Sequence, residues 1–201
     1  MATFLLDRST LFLIVSNLLV IIFAVWQKWE LSTTLWIYWL QSIIIGFFNF
    51  LRILTLKNFS VENYKINNQP AANSLSTKLF TAFFFAFHYG FFHLVYAFFL
   101  IFLIRTQDIQ IASIGLGGAI FFVDHFFSFL HNKKTDDKTN PNIGKIMFSP
   151  YARIIPMHLI ILFGAGLFLN SQNQLLLIFF LLLKTAVDII MHIKKHSLSQ
   201  T

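Results

Sequence analysis

The sequence predicts an all-α polytopic membrane protein, a single transmembrane domain of six helices with both termini cytoplasmic. Three observations predict it. Hydrophobic residues make up 57% of the 201 and charged residues only 11%, where a soluble domain carries about 25% charged residues. Several apolar stretches reach about 20 residues, enough to cross ~30 Å of hydrocarbon, and lipid-facing backbone must then be helical. Lys and Arg also alternate from side to side of those stretches.

The spans are read in chain order. The first, 10–27, lies in "MATFLLDRSTLFLIVSNLLVIIFAVW", which has no small-residue cleavage site and reads as a retained helix. The second, 34–54, follows at once. A polar segment with one Pro, "NFSVENYKINNQPAANSLST" (58–77), reads as a loop. The third span is 79–104 and the fourth 110–131, joined by "RTQDIQ". A second long loop, "HNKKTDDKTNPNIGK" (131–145), is charged and holds Pro and Gly. The fifth span is 152–169 and the sixth 174–194, joined by "NSQNQ".

Charge sets the orientation. With the N-terminus inside, the inner segments hold Arg8, Arg52, Lys57, Lys65, Lys78, Lys133, Lys134, Lys138, Lys145, Arg153, Lys194 and Lys195, against Lys28 and Arg105 outside. Both long loops are then cytoplasmic and the protein is multi-pass in the cell (inner) membrane. This placement explains the net charge of +7 better than a nucleic-acid partner does. The chain has no cysteine, which excludes disulfides, thiolate metal sites and cysteine nucleophiles.

Ionisable groups inside a bilayer are unfavourable by ~2.5–3.5 kcal/mol each on insertion scales, so they face a cavity or a partner. Span 2 carries a stripe of Tyr38, Ser42, Asn49 and Arg52 with Gln41 beside it, a pattern that hydrogen-bonds between helices. Gly46 on that stripe allows a close crossing. Span 3 carries His88 and His93, about 140° apart on a regular helix, so they do not chelate one ion together; His93 lines up with Tyr89 and Tyr96. Span 4 places His125, Ser128 and Asn132 on one face and Asp124, Ser128 and His131 on the next. Span 5 presents Arg153, which snorkels toward headgroups, then Pro156 and His158. Span 6 carries Lys184, Asp188 and His192 at successive i, i+4 positions along one face.

On this topology His88, His125, His158, Asp188 and His192 come from four helices and sit in the cytoplasmic half of the membrane. Imidazole and carboxylate together suit Zn, Fe, Mn or Cu, and bundle cores build metal sites from facing helices in this way. The same groups also suit a proton relay or ion pathway, or a structural polar network with Lys184 paired to Asp188.

The blocks "YWLQSIIIGFFNFLRIL", "FHYGFFH", "DHFFSFLHN", "PYARIIPMHLIILFG" and "LLKTAVDIIMHIKKH" resemble, in order, those of a family of small prokaryotic multi-span proteins, the domain of unknown function 6498 family. The likeness runs from about 33 to 196. It implies six spans and the same polar positions, and no activity. The chain departs from the family pattern at Gln41, where an acid is frequent, and at Tyr96, where His is frequent. Rhomboid protease chemistry is excluded by the lack of a GxSG serine. The zinc hydrolases of the ceramidase type share residue types with Ser128, Asp188, His125, His158 and His192, but not span number or spacing, so the analogy is chemical only.

Three functions follow as expectations. The first is an intramembrane metalloenzyme acting on a lipid or small apolar substrate, with His88 as a further ligand or acid/base. The second is a proton- or ion-coupled carrier or channel, which at six spans with no inverted repeat needs a homo-oligomer. The third is a structural or accessory subunit. The lipid bilayer is the expected partner in all three.

Overall fold

A computed structural model describes residues 18, 21–22, 25–26, 31–103, 109–156, 158–159, 178–179, 181–187 and 189–190. Most of the first and fifth predicted spans, and about half of the sixth, lies outside these residues. The chain divides into two compact units. One comprises Trp36–Phe98 and Gln110–Tyr151; the other comprises Met1–Leu35, Phe99–Ile109 and Ala152–Thr201.

Three long helices dominate the described residues: α1 (Leu31–Thr55), α2 (Leu75–Leu103) and α3 (Ile111–Asp136). Each is long and apolar enough to cross a membrane. At 1.5 Å per residue, the 29 residues of α2 span about 43 Å, more than the ~30 Å of hydrocarbon, so one end stands in the interface. Sequence dictates which face packs. Along α2 the buried positions Thr77, Thr81, Phe85, Tyr89, His93, Tyr96 and Leu100 repeat every three or four residues, the spacing of one helical face. Phe83, Phe87, Phe91 and Leu94 fall on the opposite face, and Phe87 is 79% exposed. Exposed phenylalanine over several turns suits lipid contact.

In the first unit, α1 runs antiparallel to α2 and parallel to α3. Trp39 Nε1 donates to the His93 carbonyl at 2.9 Å, and Lys78 Nζ donates to the Leu56 carbonyl at 3.0 Å, so α2 numbers fall as α1 numbers rise. Against α3 the numbers rise together: Ile37 meets Gly117, Leu40 meets Gly118, and Phe48 stacks among Phe122, Phe126 and Phe129. The α1 and α3 C-termini and the α2 N-terminus therefore share one end.

That end is closed by a folded cap where the sequence predicts two open loops. Helix α2 starts at Leu75, four residues before the predicted 79, because Ser74 Oγ accepts from the Thr77 amide and caps it. Helix α3 runs to Asp136, five residues past the predicted 131. Beyond it a short helix, α4 (Ile143–Phe148), is capped by Asn142, whose side chain accepts from the Lys145 amide at 2.9 Å. In the other loop β1 (Lys65–Ile66) pairs antiparallel with β2 (Gln69–Pro70), pairing Lys65 with Pro70 and Ile66 with Gln69. Asn67 and Asn68 join them at φ 50° and 61°, the left-handed pair that a two-residue hairpin turn requires and Asn tolerates.

The two cap segments are stitched together. Ser60 bridges Asn142, and Asn142 Nδ2 donates to the Glu62 carbonyl at 2.8 Å. Buried Tyr64 packs on Gly144, where a Cβ would sit 2.8 Å from its ring. Its hydroxyl lies 3.0 Å from Thr81 Oγ1 and 3.5 Å from Met147 Sδ.

Within the second unit the described residues are helical at 152–156 and 181–187. Thr185 Oγ1 donates to the Leu181 carbonyl at 2.7 Å.

Candidate functional site

The polar residues of the first unit fall into three groups along α1 and α2. At the cap end, Arg52 and Asp136 form a two-pronged ion pair: Nε donates to Oδ2 at 2.6 Å and Nη2 to Oδ1 at 2.8 Å. Asp136 is 5% exposed. From sequence Arg52 is both a topology-setting charge and the last member of the span-2 stripe, while Asp136 falls in a loop. The continuation of α3 by five residues is what brings the carboxylate to the guanidinium. Lys57 and Asp137 make a parallel but exposed pair at 3.1 Å.

Nearly two turns further in, α1 and α2 cross at Gly46. A Cβ there would lie 2.5 Å from the Tyr89 ring, so glycine is what permits the approach. The crossing is fixed by Ser42. Tyr89 donates its hydroxyl to the Ser42 carbonyl at 3.0 Å, so the Ser42 hydroxyl, 2.8 Å away, donates to the phenol oxygen. Asn49 is buried on the same stripe. Of the stripe read from sequence, Ser42 thus bonds across to α2 and Asn49 is buried.

Above this crossing the His93 ring stacks on Tyr89 at 4.4 Å. Its Nδ1 lies 2.8 Å from the Tyr89 carbonyl. A carbonyl only accepts, so Nδ1 carries the hydrogen, and in the neutral ring Nε2 is the acceptor. Nε2 is buried and has no hydrogen-bond partner among the described residues.

His88 is on the other side of the helix, as the 140° separation requires. It is exposed and stacks on Phe84 at 5.4 Å. Its Nδ1 lies 2.9 Å from the Tyr151 hydroxyl. Tyr151 stands just before the fifth predicted span, and a phenol ordinarily titrates at about pH 10. The phenol thus keeps its proton at neutral pH, and when it donates to Nδ1 the imidazole presents Nε2–H outward. Tyr151 was not anticipated as a site residue, although it stands in the "PYARI" block.

The remaining predicted residues are placed as follows. On α3, His125 and Asn132 are half-buried on the packed side, and Ser128 is exposed. Gln41 is half-buried on α1. In the second unit, His158 and Lys184 are half-buried and Arg153 is exposed. Asp188 and His192 lie outside the described residues. Among the described residues, no group of three or more His, Asp or Glu side chains is arranged to hold a metal ion.

Apolar helices long enough to cross a bilayer, registered on one another by polar side chains buried between them, define a helical membrane protein. The chain belongs to the family of unknown function DUF6498, whose profile matches residues 1–201. No curated protein and no solved structure matches it.

Proposed function

We propose that this protein crosses the cell (inner) membrane six times, with both termini and the cap in the cytoplasm, and carries out acid–base chemistry at the cap-side half of the membrane on a lipid or small apolar substrate. The observation that carries this reading is the His88–Tyr151 pair. An exposed imidazole, oriented by a protonated phenol and flanked by phenylalanine, is a group that can pass a proton to an apolar molecule. His88 is then the acid/base group. A transition metal held by His125, His158, Asp188 and His192 would supply Lewis-acid activation. The ligand chemistry of three imidazoles and one carboxylate supports that assignment.

Metal analysis of the purified protein tests it. About one equivalent of Zn, Fe, Mn or Cu is expected per chain. H158A and D188A should lose the metal, and H88Q should keep it. Full occupancy in H158A or D188A would remove the metal from this reading.

A second reading is favoured by one observation, the buried acceptor at His93 Nε2. It suits a proton pathway through the bundle, and a homo-oligomer would then be required. Proton flux into liposomes by metal-free protein, lost in H93F, would decide for it.

A further inference from the structure

The cap gathers basic side chains on a surface where two of three acids are already committed. Among the described residues its acids are Glu62, Asp136 and Asp137. Arg52 holds Asp136 and Lys57 holds Asp137. That leaves one acid, Glu62, against four exposed lysines on the cap, Lys65, Lys134, Lys138 and Lys145.

Folding brings the segments that carry two of these together: Tyr64 packs on Gly144, and Lys65 and Lys145 are their neighbours in the chain, on β1 and α4. The lysines stand at the common end of three membrane-length helices, where water meets headgroups. At the same end Phe148 is 60% exposed on α4, and Leu75 and Phe80 are exposed at the start of α2. Basic groups next to exposed apolar side chains at a bilayer edge match an anionic headgroup above acyl chains.

We propose that this face of the cap binds the headgroups of anionic phospholipids in the adjoining leaflet. The inference goes beyond the acid–base reading and does not depend on it. A positive-inside bias alone requires lysines in the loops; it does not require a folded cap that pairs off two of its three acids and leaves four lysines exposed.

The test uses the full chain in neutral detergent micelles doped with equal phosphatidylglycerol and phosphatidylcholine, with bound lipid counted by native mass spectrometry. Wild type should retain phosphatidylglycerol in preference and release it as salt is raised. K65Q/K145Q should bind it on the order of 30-fold more weakly, from about 1 kcal/mol for each lysine near an anionic surface. K65R/K145R should bind as wild type does, which a mere loss of folding would not produce. Equal retention of the two lipids would overturn the proposal. So would unchanged binding by K65Q/K145Q, or equal weakening in both double variants. Displacement by inorganic phosphate at matched charge would assign the face to free anions and overturn it as well.

Discussion

At the residue scale the sharpest constraint is Gly46. A methyl group there would stand 2.5 Å from the Tyr89 ring, closer than any Cβ is found, so Tyr89 would have to leave Ser42. G46A should destabilise the protein by about 1–3 kcal/mol, the range for overpacking, read as a fall in melting temperature in detergent. Gly90 is the control, because nothing lies within 4 Å of its Cβ position; G90A should be neutral or slightly stabilising.

At the element scale the question is what joins α1 to α3. Asp136 is buried and accepts two hydrogen bonds from Arg52, whereas Lys57 is exposed and Asp137 only half-buried. D136A should lower stability by about 1–3 kcal/mol, less than a fully buried pair because Arg52 is partly exposed. D137A should change it by no more than about 1 kcal/mol. Denaturation of the two variants side by side separates the cases. The same pair shows what sequence could and could not convey. The three long helices, the Gly46 crossing and the opposition of His88 and His93 were legible, because each depends on local periodicity or on 3.6 residues per turn. The Arg52–Asp136 pair was not, because it depends on where α3 stops, and no proline or glycine marks that point. The cap was missed for a related reason. Its signals, Ser74, Asn142 and the Asn67–Asn68 turn, are single polar residues in segments whose composition alone reads as loop. Tyr151 became visible only when its partner, 63 positions earlier, was brought beside it.

For the molecule as a whole, the parallel α1 and α3 with antiparallel α2 fit a chain that alternates across a bilayer, and the chain has no cysteine. Single cysteines can therefore be added and labelled with a membrane-impermeant reagent without background. Positions 68 and 140 should label from the cytoplasmic side, and positions 107 and 172 from the opposite side. Labelling of 68 and 140 from opposite sides would contradict the common end of α1, α2 and α3. The Arg52–Asp136 contact also has a history in time. The two residues are 84 positions apart, so at 5–20 residues per second the ribosome adds Asp136 roughly 4–17 s after Arg52. For that interval Arg52 is an unmatched cation at the end of a newly made helix, free to hold that end at a membrane surface. Only when α3 arrives does the same guanidinium change occupation, from a signal that orients the nascent chain to a clamp that holds the finished one.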